Sequence, residues 1–393
     1  MTALQGLAWL PVAVWAYLLL FRGRFWLPDI RLGPARDLPG WPTVAVIVPA
    51  RDEAAMLAST MPALAAQDYP GRAAIFLVDD CSGDSTREVA AAGAGAGPLP
   101  LTVVTGADRP EGWVGKTWAL AQGVRAASEE IDPDYFLFTD ADIHHPADSV
   151  RRLVSDAVTA DRDLVSLMAR LRTATGWERL VVPAFVYFFS QLYPFRSIAR
   201  RRSRTAGAAG GCILLKAAAL RAAGGVEAIS GAVIDDVALG RAVKRSGGSI
   251  WLGFADEVAS LRPYQRLADL WDMVARSAYT QLRYSPLALA ATVVGLAVIY
   301  LGPLAALLGG AAAADPAVAG AGLCAQALMT ASYLPMIRYY RLPAAWSLTL
   351  PAAAALYGAM TVDSARRHRR GVGAAWKGRT YAGRDRPGVE PDR

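Results

Sequence analysis

Three pairs of acidic residues stand at the polar ends of apolar runs, and their spacing suits them to chemistry. Asp79 and Asp80 close IFLVDD, Asp140 and Asp142 follow YFLFT, and Asp235 and Asp236 open the stretch DDVALGRAVKRSG. An Asp-x-Asp at a strand end is a donor set for a hard divalent cation, which in turn binds the oxygens of a diphosphate. A single carboxylate also suits another task, taking a proton from a hydroxyl. Aspartate favours turns and helix starts as well, so any one pair reads equally well as a cap. Three pairs at equivalent places in one pattern are harder to explain that way. No Gly-x-Gly-x-x-Gly follows the first apolar run, and no Gly-x-x-x-x-Gly-Lys-Ser/Thr occurs anywhere. Dinucleotide and P-loop chemistry therefore lack their phosphate loops.

The elements that must position these acids alternate. Val44–Val48 is a continuous β-branched run, as expected of a strand buried on both faces. Glu53 to Gln67 is compatible with a helix. Ile75–Val78 forms a second strand, and Asp84 and Ser85 offer caps for a helix through Ala92. Ala91–Pro100 (AAGAGAGPLP) connects to a third strand at Leu101–Val104. A helix at Lys116–Ala127 and a fourth strand at Tyr135–Phe138 follow, and a further helix is expected from Val237. Repeated βα units predict an α/β fold with a mostly parallel, doubly wound sheet, and ligands at the C-terminal ends of its strands.

Composition adds a second part to the molecule. The 393 residues are 54% hydrophobic and only 19% charged, below the usual quarter or so of a soluble domain. The segments 4–21, 285–314, 316–337 and 342–362 carry no charge, and each is near the length of about 20 residues that spans a bilayer. The basic residues Arg22 and Arg24 follow the first segment rather than precede it, which favours an anchor over a signal peptide. The expected organisation is an anchor over 1–24, a catalytic domain over 40–284, a membrane region over 285–363 and a basic tail over 364–393. By the charge rule, Arg22 and Arg24 put the catalytic domain in the cytoplasm. Three further crossings would leave the C-terminus outside, yet the tail holds Arg366, Arg367, Arg369, Arg370, Lys377 and Arg379. Either one segment is re-entrant or interfacial, or the tail departs from the rule. Cys81, Cys212 and Cys324 are odd in number and lack metal spacing, which excludes a disulfide scaffold and a zinc ribbon.

Several motifs carry a family resemblance. PARDEA (49–54), VDDCSGDST (78–86), GWVGKTWAL (112–120), TDADIHH (139–145) and IDDVALG (234–240) resemble, in order and spacing, those of family 2 glycosyltransferases with the GT-A fold. GWVGKTWAL, RSAYTQLRYSP and the C-terminal WKGRTY are most similar to the hopanoid-biosynthesis-associated glycosyltransferases of bacteria. The resemblance implies a metal-dependent hexosyltransferase that draws on a nucleotide sugar, a UDP-sugar in the first place, with Mg2+ or Mn2+ as cofactor. It implies that Asp79 or Asp80 contacts the donor's base, that Asp52 sits beside the nucleotide, and that Asp140 and Asp142 hold the metal, Asp142 the more directly. Lys116, one of only four lysines, would neutralise donor phosphate, the alternative being a surface lysine at a helix start. His144 and His145 would assist the metal or form a polar cap before Pro146. Asp236 matches the acid that takes the acceptor proton. Because this chain reads Ile-Asp-Asp, Asp235 either shares that role, replaces it or caps the helix. The Gln-x-x-Arg-Trp of relatives is altered here to Thr280-Gln281-Leu282-Arg283-Tyr284, with Arg283 as the candidate phosphate clamp.

Leu180 to Phe195 is uncharged and aromatic but short for a span. It is either an interfacial helix that admits a lipid acceptor or a buried core helix. Arg196 and Arg200–Arg202 with Arg204 follow, where anionic headgroups would lie. The expected partners are a nucleotide-sugar donor, a lipid acceptor and the bilayer of a bacterial inner membrane, with no nucleic acid. The alternatives are a polyprenyl-phosphate sugar transferase, a processive polysaccharide synthase and a catalytically silent membrane scaffold.

Overall fold

The computed structural model describes residues 3–95 and 97–371, together with the backbone of 375–376 and 379–380. Lys377 and residues 381–393 of the basic tail lie outside the described residues. Two compact units emerge. An α/β unit is built from Arg31–Arg170 and Ala206–Arg262, and an apolar helical unit from Met1–Ile30, Leu171–Thr205 and Pro263–Arg366. Residues 171–205 and 263–284, inside the expected catalytic stretch, thus group with the apolar helices.

In the α/β unit, β1 (Val44–Ala50), β2 (Ala73–Asp79), β3 (Leu101–Thr105) and β4 (Tyr135–Thr139) lie where the apolar runs predict them, each a residue or more longer. Helices α1 (Ala54–Ala65), α2 (Thr86–Ala94) and α3 (Gly115–Glu130) alternate with them. All seven residues of β1 are buried, because a strand covered on both faces has no solvent side to leave polar. Helix α3 packs close to the sheet at Gly123. A Cβ there would come within 2.5 Å of Ile47 Cγ2 and 2.9 Å of Val78 Cγ2, so the approach needs glycine.

The rest of the sheet corrects the expected architecture. After β5 (Ile143–His144), α4 (Ser149–Thr159), β6 (Leu164–Arg170), β7 (Cys212–Lys216), α5 (Asp235–Arg245) and β8 (Ile250–Ser260), the eight strands stand in the order β3-β2-β1-β4-β7-β6-β8-β5. The β3-β2-β1-β4 half is parallel, as expected. However, β7 runs antiparallel to both β4 and β6, and β5 antiparallel to β8, so the sheet is mixed. The reason lies in the connection. The chain re-enters the sheet with Cys212 opposite Thr139, at the end of β4 rather than its start. A strand that starts beside its neighbour's C-terminus can only run back along it. This reversal brings the Gly210–Gly211 turn to the C-terminal end of β4, next to Asp140.

In the apolar unit, Pro286–Ala312, Pro316–Tyr339 and Ala344–Arg369 are long and apolar enough to cross a membrane. Gln5–Phe21 is a shorter apolar helix. The aromatic stretch forms the Gly176–Leu192 helix, started by a reciprocal capping box between Thr175 and Glu178. Phe188 of this helix packs edge-on against Tyr300 and Tyr357.

Candidate active site

The loops after β1 and β2 are tied together. Asp52 has a φ of 51°, a left-handed conformation that aspartate tolerates better than most residues. Its N–H donates to Ser82 Oγ at 3.0 Å, and its Oδ1 accepts from the Gly83 N–H at 2.7 Å. The Asp52 side chain is 45% exposed. Asp79 and Asp80 are both fully buried. Asp79 accepts from the Ser82 N–H at 3.2 Å and pairs with the Arg87 guanidinium. Asp80 lies 3.6 Å from Arg51, whose Nη1 also donates to the Asp80 carbonyl at 2.6 Å. Of the three expected donor-binding acids, Asp52 alone has an exposed carboxylate, which also lies 3.9 Å from Arg51 Nε; the other two are buried and brace the loops.

The second cluster gathers residues far apart in sequence. Lys116, on the first turn of α3, places Nζ 2.8 Å from Asp140 Oδ1 and 3.3 Å from Asp235 Oδ2. Asp236 Oδ2 accepts from the Gly210 N–H at 2.9 Å, and Oδ1 accepts from the Val237 N–H at 2.7 Å. Gly210 closes the gap between cation and acid: a Cβ there would lie 3.2 Å from Lys116 Nζ and 3.4 Å from Asp236 Oδ2. Lys116, Asp140, Gly210 and Asp235, with Pro49, Phe138 and Leu239, line a small hollow.

The charges of this cluster shift one another. Loss of water works against the Lys116 ammonium, but the carboxylates of Asp140 and Asp235 outweigh it and hold the lysine protonated. Asp140 is raised by burial and by Asp142, against the pull of Lys116. Asp236 is pushed up to about 7, first by burial and then by its neighbour Asp235, with Lys116 and the two backbone N–H groups opposing. The cap role considered for Asp235 does not hold. Asp235 is the first residue of α5, Ile234 is the cap residue, and no side-chain cap bond forms; Asp235 faces Lys116 instead. The helix also starts two residues earlier than its apolar pattern suggests.

Asp142 sits in a third group that sequence reasoning did not find. Ser260 Oγ donates to Asp142 Oδ2 at 2.5 Å, and Arg262 Nε lies 3.4 Å from the same oxygen. Arg262 Nη2 reaches the buried Glu53 at 2.7 Å. The only sequence signal for this was the RDEA segment beside the first strand. His145 is fully buried, and both ring nitrogens are engaged, Nε2 with Thr139 at 2.8 Å and Nδ1 with Ser149 at 3.0 Å. Burial drops it to about 3, so it is neutral and structural rather than a metal ligand.

Among the described residues, no group of three or more His, Cys, Asp or Glu is arranged to hold a metal ion. The Asp140–Asp142 pair still fits one kind of site. Mg2+ keeps several waters and is commonly bound by one or two carboxylates plus substrate phosphates rather than by an all-protein cage. Arg283 belongs to the apolar unit, with a φ of 52°, and Tyr284 beside it has a φ of 57°.

Residues 45–224 match the family model of glycosyl transferase family 2. No curated protein matches the chain. Among solved structures, the chain is similar to a mannosyltransferase from Pyrobaculum calidifontis in complex with GDP-Man and Mn2+. That match has 20% identity and a TM-score of 0.53, and covers 92% of this chain and 98% of that one. It is also similar to glucosyl-3-phosphoglycerate synthase from Mycobacterium tuberculosis in complex with Mn2+ and uridine-diphosphate-glucose. There the identity is 20% and the TM-score 0.42, with 65% of this chain and 86% of that one covered. The first likeness and the family match show a GT-A-like α/β fold.

Proposed function

We propose, from the family 2 domain and the acids gathered at its strand ends, that this chain is a membrane-bound, divalent-metal-dependent, inverting glycosyltransferase acting on a lipid. The observation that carries the reading is the meeting of Lys116, Asp140, Asp235 and Asp236 around Gly210. A structural cap pair would have no use for a half-buried lysine held between three carboxylates.

In the proposed reaction the acceptor oxygen bonds to the anomeric carbon as the bond from that carbon to the donor's diphosphate breaks. The acceptor proton passes to the Asp236 carboxylate, and the nucleoside diphosphate leaves with inversion. A base works best when its pKa lies near the working pH, and Asp236 at about 7 meets that condition. Lys116 would set its positive charge against the charge that gathers on the leaving diphosphate. Asp140 and Asp142 would hold Mg2+ or Mn2+, and that ion, when bound, neutralises the diphosphate. Asp235 would keep Lys116 in place, Asp52 would face the nucleotide, and Arg283 would act as a phosphate clamp.

A UDP-sugar is the proposed donor. The GDP-Man held by the Pyrobaculum calidifontis structure makes a GDP-sugar the competitor to test. The lipid acceptor, of the hopanoid class or a related one, rests on the apolar helices and the aromatic Gly176–Leu192 helix. The proposed site of action is the cytoplasmic face of a bacterial inner membrane. Thermal shift of the purified protein in detergent, with UDP- and GDP-sugars with and without Mn2+, identifies the donor. Transfer of labelled sugar into a lipid fraction then tests the acceptor. If no nucleotide sugar raises the melting temperature and none is hydrolysed, the enzyme reading fails and the scaffold stands.

A further inference from the structure

The apolar unit has a basic side, and the paths of its helices define it. Gly310 meets Ala319, and Gly322 meets Leu307, so Pro286–Ala312 and Pro316–Tyr339 form an antiparallel hairpin with a tight turn at 313–315. Pro286 and Tyr339 therefore lie toward the same side. The N-terminal helix runs alongside in a matching register. Gln5 donates to Asp315 at 3.3 Å, Pro11 lies beside Gly302, and Trp15 donates to the Ile299 carbonyl at 3.0 Å. Its other end, at Arg22, thus points toward Pro286.

That end is tied to the segment that follows the aromatic helix. Arg22 donates to the carbonyls of Gln191 and Leu192 at 3.1 and 3.2 Å, and Arg196 pairs with Asp29. Gln281, a few residues before Pro286, donates to Tyr193 at 2.6 Å. Arg200, Arg201, Arg202 and Arg204 follow on this same side and are exposed. Leu20, Phe21 and Leu192, all exposed, lie just ahead of these basic residues, an apolar-to-basic order suited to a membrane boundary.

Ala344–Arg369 begins on this side, shortly after Tyr339. A helix of 20 residues is about 30 Å long, enough to carry its end across a bilayer. It does not do so. Residues 344–349 pack against the Gly176–Leu192 helix, and Tyr357 donates to the Val181 carbonyl of that same helix at 3.2 Å. Near the far end, Asp363 accepts from Trp271 Nε1 at 2.9 Å and Ser364 from the Tyr279 N–H at 3.0 Å. Trp271 and Tyr279 belong to the stretch that leads into Pro286.

We propose that Ala344–Arg369 lies along the membrane boundary and returns to the side it starts from, so that Arg366 joins Arg200–Arg202 and Arg204 in one basic rim seated on acidic phospholipid headgroups. This rests on the membrane reading above. It also removes the orientation conflict in the sequence: three crossings leave both basic stretches on one side. A juxtamembrane basic cluster is attracted by an anionic leaflet over about a Debye length, and salt weakens that attraction.

Two measurements test it on the full chain. In sealed vesicles of known orientation, an impermeant maleimide should label R366C and S203C from one side and A313C from the other, each scored as the gain over the parent. V362C serves if R366C fails to fold. In nanodiscs, phosphatidylglycerol should raise the melting temperature above that in phosphatidylcholine, and most of that gain should vanish in the R200Q/R201Q/R202Q/R204Q variant or in high salt. Labelling of R366C or V362C from the A313C side overturns the return path, and an unchanged lipid gain in the quadruple variant overturns the rim. Release of the protein by alkaline extraction is a separate outcome, which defeats the membrane reading itself.

Discussion

Asp236→Asn tests the proposed base most directly, because its surroundings give the expected pH behaviour as well as the expected loss. The carboxyl is held at about 7 by burial and by Asp235, against Lys116 and the N–H groups of Gly210 and Val237. A base with that value is about one-tenth ionised at pH 6 and about nine-tenths at pH 8, so kcat/KM should rise roughly tenfold across that interval. The substitution should cut turnover by about 10²–10⁴ and flatten this limb, while nucleotide affinity persists. Stability supplies an independent sign. The folded pKa lies above the unfolded one, so the favourable contribution is complete below pH about 4 and is lost as pH rises through about 7. Asn does not ionise, so the variant should gain stability relative to the parent between pH 5 and pH 8. The assay is sugar transfer against pH for both proteins, with melting curves at each pH. A parent profile that is flat from pH 6 to 8, or a variant that keeps the limb, refutes the assignment.

Lys116→Gln removes a cation that faces Asp140, Asp235 and Asp236; the limb should move to higher pH and donor affinity should fall, read from the same profiles. Asp142→Asn should abolish metal-dependent nucleotide binding with the fold intact, and equal UDP affinity of chelated and metal-loaded parent protein would count against the metal site. Ser260→Ala or Arg262→Gln should weaken Mn2+ affinity about 10–100-fold, the usual cost of losing a group that orients a ligand, measured by titration of Mn2+ in the presence of UDP. Asp235→Asn loosens Lys116 and should shift the pH limb, whereas a loss of stability alone would return Asp235 to a structural part.

What was legible in the sequence is what depends on near neighbours. The β-branched run at 44–48 specifies a doubly covered strand because its own residues leave no polar face, and the acids follow those runs because the C-terminal strand ends are where such a sheet places its ligands. The length of the apolar segments likewise follows from counting. Partnerships between distant residues were not legible, because no local period encodes them. Ser260 and Arg262 orient Asp142 only after β8 has come to stand beside β5. The reversal of β7 puts Gly210 between Lys116 and Asp236, and it follows from where the chain re-enters the sheet rather than from the strand's own residues. The near-neutral Asp236 shows the same division. Its identity was visible in the sequence, but its proton affinity depends on burial and on charges that only the tertiary structure brings within a few ångströms.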